Sequence, residues 1–322
     1  MELQMEWGWL IAIYLFLGGL GAGAFIVTSI LQLTTGNLFK NTIKFGAWVS
    51  FIAIVVGLVC LVLDVDNPLR ALILPQSFVN FTSWMAIGAW LLFVTAIVYV
   101  LYALFSTDSV LSWLGRIWSP LKNNGTMVCR VLGVIGLPLS LGVAIYTGIL
   151  LGSAPSIPLW NTWLLPVLFT VSALDTGVAT VSAYAILGEK ANGVKLLRKI
   201  LEGCIVILVA IEATVLVVFL SSRLNGSLSE SLSAQIITSG VLSWPFWILI
   251  VGIGLCIPFI VGVIKLSGII KRETVILPVV GTVSALIGGL TLRYVILAAG
   301  SHAIITSPML QQLIDGVYYF VP

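Results

Sequence analysis

Charge is what this chain has least of. Only 8% of its 322 residues are Asp, Glu, Lys or Arg, where a soluble domain of this length carries about 25%. Histidine is nearly missing too. His302 is the only one, which excludes an intramembrane haem held by two histidines of this chain. The four cysteines, Cys60, Cys129, Cys204 and Cys256, stand far apart inside or beside apolar runs, with no C-x-x-C pair. They read as small buried hydrophobes rather than as cluster ligands or a disulfide framework. There is no nucleotide-binding loop. The first apolar run follows Glu2 and Glu6 rather than Lys or Arg, and no cleavage site follows it, so no signal peptide is expected.

Apolar length is what the sequence has in quantity. It is 60% hydrophobic with a mean hydropathy of +1.16. Runs long enough to cross a hydrocarbon core of roughly 30 Å recur from end to end. Read between polar breaks, they predict an all-α integral membrane protein with eight spans, at about 7–34, 44–63, 82–105, 129–152, 162–188, 200–221, 244–264 and 275–299. The breaks are "TTGNLFKN", "LDVDNPLR", "SAPSIPLWN", "LGEKANG" and the long polar loop "SSRLNGSLSESLSAQ". Twelve of the fifteen Lys and Arg fall in the loops after spans 1, 3, 5 and 7, leaving Arg70 and Arg223 on the other side and Arg293 inside span 8. The basic side is therefore expected to be cytoplasmic, with both termini outside. A loose repeat between "LFLGGLGAGA" and "LFTVSALDTGVA" suggests two four-helix bundles, residues 1–152 and 153–322.

Three groups of residues are out of place in lipid. The first is "YLFLGGLGAGAF", with Gly19 and Gly23 as G-x-x-x-G and Gly18 and Ala22 on the neighbouring stripe. Glycine costs about 1 kcal/mol against alanine inside a helix, so these positions call either for close helix packing or for room beside a flat ligand, with the Tyr14 phenol one turn away. The second is the trio Asp175, Glu212 and Arg293. Each costs at least about 2.5 kcal/mol near a helix centre, so each should face the interior, either as a structural ion pair or as a proton-transfer group. Arg293 is expected to bond a carboxylate directly, Glu212 before Asp175, because both lie outward of the midplane. The third lies at the outer helix ends: Asp64, Asp66 and Arg70; Asn80, Ser83 and Trp84; Tyr146, Trp160, Asn161 and Trp163. Tryptophans there are expected to act as interface anchors, while the Tyr146 hydroxyl, inside its span, needs a partner or a ligand. Tyr14, Asp64 and Tyr146 are expected at similar depth, forming a polar pocket in the outer leaflet.

Four segments, "YLFLGGLGAGAF", "LDVDNPLR", "NFTSWMAIGAW" and "YTGILLGSAPSIPLWNTWLLPVLFTVSALDTGVA", in this order and across all eight spans, resemble the NrfD/PsrC family. These are membrane subunits of polysulfide-reductase-like respiratory complexes. The resemblance implies a subunit of a prokaryotic cell membrane that binds a quinone, menaquinone or ubiquinone, and holds no haem or iron–sulfur cluster of its own. It implies a ferredoxin-like iron–sulfur subunit and a molybdopterin catalytic subunit on the outer face, with lipid around the helices and no nucleic acid. The family's "YTG" tyrosine, a quinone contact, falls on Tyr146. Its polar contact on the first helix, a histidine in the polysulfide-reductase type, falls on Tyr14, a departure that points to a different branch.

On this reading quinol is oxidised in the outer half. Tyr14 and Tyr146 hold the head group, Ser83 and Trp84 line the site, Asp64 accepts a proton, and Arg70 fixes Asp64 or Asp66. Quinone reduction would use the same residues. Two other readings stand beside it: a secondary transporter, suggested by the intramembrane carboxylates and the loose repeat, and a passive anchor whose partners do the chemistry.

Overall fold

A computed structural model describes residues 7–64, 83–117, 125–189, 193–267 and 276–300. Every described element is helical, as it must be where no water is available to satisfy backbone N–H and C=O groups. Eight helices are long and apolar enough to span: α1 Trp9–Thr35, α2 Lys40–Leu63, α3 Trp84–Phe105, α4 Gly125–Gly152, α5 Leu164–Leu187, α6 Val194–Leu224, α7 Pro245–Leu266 and α8 Ile276–Ala298. All eight predicted spans are present. Two short helices, Asp108–Ile117 and Leu228–Thr238, lie in connections read from sequence as loops.

The first half of α7, Pro245–Cys256, is wound as a π-helix and becomes α-helical at Ile257. Gly252, Gly254 and Pro258 thus lie at a change of winding inside a continuous span.

Each helix packs on its sequence neighbours, and α1 does more. It contacts α2, α4, α5 and α8. Its glycines divide these contacts among themselves. A Cβ added at Gly18 would meet Thr147 of α4, at Gly19 Arg293 of α8 and Ala173 of α5, at Gly21 Ser50 and Ala53 of α2, and at Gly23 the backbone of α5. The last contact is reciprocal, because a Cβ at Gly177 would overlap the backbone of Gly23 and Ala24. Gly19-x-x-x-Gly23 therefore lies against Ala173-x-x-x-Gly177, which brings two backbones together where side chains would hold them apart. The fourfold glycine cost in α1 secures a helix with neighbours on four sides.

At the basic end, Glu189 Oε2 accepts hydrogen bonds from Thr42 N and Thr42 Oγ1, both at 3.1 Å, in the first turn of α2. A carboxylate there satisfies an orphan donor and complements the helix dipole. Arg198 reaches back to the carbonyls of Ala185 (3.2 Å) and Ile186 (2.8 Å), capping α5 from α6. The outward faces are apolar and bare, as at Met127, Val134, Ile207 and Val217, the pattern of helices solvated by lipid.

Candidate functional site

Two polar clusters lie inside the helices, on opposite faces of α1. The first joins Tyr14 of α1 and Tyr146 of α4, whose phenols lie close enough to interact. Both residues are buried. The tip of the Tyr146 ring occupies the space above Gly88 of α3, where any Cβ would overlap it. Gly57 of α2 lies alongside Tyr14, since a Cβ there would be 3.5 Å from the Tyr14 carbonyl. Each phenol both donates and accepts. The pair thus offers O–H donors and lone pairs to a third oxygen.

The remaining expected members are further off. Asp64 is the C-cap of α2, seven residues beyond Gly57. At 1.5 Å per residue it lies about 10 Å from the level of Tyr14, toward the tryptophan-rich end. The common depth expected from sequence therefore describes Tyr14 and Tyr146, with Asp64 nearer the surface; counting residues from apolar boundaries could not locate it because α2 runs its full length to that cap. Ser83 is the N-cap of α3, and Trp84 is exposed, about one turn outward of Gly88. Arg70, Asp66 and Asn80 lie outside the described residues.

The second cluster lies among α5, α6 and α8, where α5 and α8 meet α1. Arg293 is fully buried. Its Nη1 donates to Ser172 Oγ (3.0 Å) and to the Gly289 carbonyl (2.7 Å), and its Nη2 to the Phe169 carbonyl (3.5 Å). The guanidinium carbon sits 5.7 Å from the Phe16 ring centroid and 5.2 Å from that of Phe169, so aromatic faces of α1 and α5 flank the cation. The Ser172 hydroxyl also lies close to the Glu212 carboxyl. Having accepted from Arg293, its hydroxyl is free to donate to Glu212. Asp175, one turn along α5, is close enough to Glu212 for their charges to interact.

The direct Arg293–Glu212 bond expected from sequence is not formed; Ser172 stands between the two. Helical serines usually turn back onto their own helix, so no sequence rule would have singled this one out. Among the described residues, Asp175 Oδ1 and Arg293 Nε are buried polar atoms without a hydrogen-bond partner in the protein, in a cluster of one guanidinium and two carboxyls.

Trp160 departs from expectation as well. It is buried rather than anchored at an interface, donating from Nε1 to the Ile296 carbonyl at 2.7 Å and lying 5.4 Å from the Trp7 ring. Trp163 keeps the exposed position of an anchor.

Two recesses open at the basic end. One, of about 20 Å³, lies between α5, α6, α7 and α8. The other, of about 40 Å³, lies beside Gln32, Lys40, Asp108 and Cys129. Neither includes Tyr14, Tyr146 or Asp64 in its lining. No group of three or more metal-ligating side chains occurs among the described residues.

Comparison with known proteins agrees with this architecture. The C component of the polysulfide reductase of Wolinella succinogenes is 32% identical over 302 residues, 91% of this chain and 94% of the relative. Protein NrfD of Escherichia coli is 28% identical, covering 92% and 95%. The C component of the selenate reductase of Mesobacillus selenatarsenatis is 24% identical, covering 90% of this chain and 73% of its own. The model of the family described as polysulphide reductase, NrfD, matches residues 1–305, and the chain is thereby a member of the NrfD family of multi-pass membrane proteins.

Proposed function

We propose that this chain is the quinone-reactive membrane subunit of a respiratory oxidoreductase complex, built as two four-helix bundles with the reactive site in the first. The observation that carries the reading is the Tyr14–Tyr146 pair: two buried phenols from different helices lying close to each other, with the Tyr146 ring seated over Gly88. Membership of a family whose named relatives are reductase subunits supports it.

A quinol held there, menaquinol or ubiquinol, supplies two electrons and two protons. The protein's part is to bind and to move protons. The O–H groups and lone pairs of the phenol pair hold the head-group oxygens, the one donating and the other accepting. Asp64 receives protons about two turns outward and passes them to the tryptophan-rich face, with Arg70 as its charged partner. Ser83 and Trp84 form the rim on the α3 side. The electrons pass to an iron–sulfur subunit on that face and on to a molybdopterin subunit. Positive-inside asymmetry makes that face the periplasmic side of a prokaryotic inner membrane, with both termini there. In the second bundle, Asp175 and Glu212, held by Ser172 and Arg293, exchange a proton during turnover.

Tyr146→Phe tests the site. The ring still packs over Gly88, so assembly should persist, while the hydroxyl bond to the head group is lost. Quinol-coupled turnover should fall while turnover with an artificial donor to the soluble subunits survives. Unchanged quinol kinetics would remove Tyr146 from the site.

A further inference from the structure

We infer that the half-buried ion pair Glu202–Lys265 is the proton inlet of the second bundle, and that the recess behind it leads protons from the basic end to the Asp175–Glu212 carboxyls. The inference rests on the reading that those carboxyls exchange a proton. It adds where the proton comes from and which residues admit it.

Three observations converge. Glu202 of α6 and Lys265 of α7 are 2.9 Å apart, with side chains 12% and 18% exposed. This is a charged pair that reaches solvent yet lines the inner recess. The recess continues along α5 through Ala179 and Ser182, at i+4 and i+7 from Asp175, so all three share one helix face. Along α6 it continues from Glu202 through Ile205, with Val209 and Glu212 next on the same stripe at i+7 and i+10.

The recess thus ends one helical turn, about 6 Å, short of Asp175, whose buried Oδ1 has no protein partner. The intervening positions on α5 and α8, Ala179, Ala285 and Gly289, are small. Thr282 Oγ1, bonded to the Ala179 carbonyl at 2.9 Å, and Ser182 add hydroxyl oxygens to the wall.

Charge supplies the direction. One guanidinium and two carboxyls are neutral together only when the carboxyls carry one proton between them, and an uncompensated charge in this interior is costly. A carboxylate at the mouth can take a proton from water and, once neutral, loosens its hold on Lys265 and opens the recess. Only a proton moves, from bulk water to Glu202 and then to the buried pair.

The test uses the whole complex, purified with its partner subunits and reconstituted in vesicles with the basic end facing an indicator dye. A short-chain menaquinol serves as donor. Glu202→Gln keeps the size of the side chain and removes its charge. Ala179→Leu blocks the recess without touching a titratable group. Both are expected to slow proton uptake from the basic-end compartment roughly tenfold, with artificial-donor turnover of the soluble subunits unchanged, and Glu202→Asp should restore uptake. Wild-type uptake in both Glu202→Gln and Ala179→Leu, while Asp175→Asn abolishes it, would overturn the inlet and leave Glu202–Lys265 as a fastener between α6 and α7. Wild-type uptake in Asp175→Asn as well would overturn the reading of the cluster itself.

Discussion

The α1–α5 crossing permits a quantitative prediction. A Cβ at Gly23 would lie 2.8 Å from the Ala173 carbonyl carbon and closer still to its oxygen; one at Gly177 would lie 2.6 Å from Gly23 Cα. Ordinary carbon–carbon contact is about 3.5–4.0 Å, so either methyl falls short by at least roughly 1 Å, and the obstacle is backbone, which has no rotamer to yield. Overpacking costs about 1–3 kcal/mol; with backbone on both sides, each of Gly23→Ala and Gly177→Ala should fall near the upper end, after about 1 kcal/mol is returned by alanine's better helix propensity. The two methyls share one relief, separation of α1 from α5. The double variant should therefore cost less than the sum, with a coupling of roughly 1 kcal/mol or more. Unfolding of the four proteins of the cycle in mixed micelles, followed by far-UV circular dichroism, measures it. Strict additivity, or single costs below about 0.5 kcal/mol, would show that the helices do not approach as described.

Other contacts make separate predictions. Gly88→Ala should displace the Tyr146 ring, whose tip fills that space, and lower quinol-coupled turnover as much as Tyr146→Phe does; a normal Michaelis constant and rate would place the ring elsewhere. Ser172→Ala removes the hydroxyl that accepts from Arg293 Nη1 beside the Glu212 carboxyl. It should cost about 1–3 kcal/mol because charged groups lose their bond in a buried site, and calorimetry showing no loss would break the bridge. Cysteines introduced at 66–80, 153–161 and 222–243 should label from outside intact cells and those at 190–199 should not; the reverse pattern inverts the orientation.

The eight spans were legible because hydrocarbon demands long apolar helices and tolerates few alternatives. Their ends were less so. α6 begins at Val194 rather than near 200, because Lys195, Arg198 and Lys199 continue the helix beyond the apolar stretch, with Arg198 spent on the carbonyls of α5. The helix Leu228–Thr238 was hidden in a polar loop, although Ser227 and Glu230 form a capping box whose S-x-x-E spacing was visible. That Tyr14 meets Tyr146 depends on which faces of α1 and α4 adjoin, and the glycines of α1 hid this by making it apolar on every side. Buried charges could be recognised from their cost alone, whereas Ser172 as their go-between required coordinates.

The placement of both clusters on α1 has a mechanical consequence. Tyr14 stands on one face of this helix, while Phe16 and Gly19 touch Arg293 from another. A helix with its side chains has a radius of roughly 5–6 Å, so turning it by about 20° sweeps its surface groups through about 2 Å, more than a hydrogen bond can stretch. Gly19 and Gly23, pressed on Ala173 and Gly177, have no side chains with which to absorb such a turn. α1 behaves as a common axle: torque applied at the phenols is felt at the guanidinium, and neither cluster can be re-aimed by substitution without moving the other.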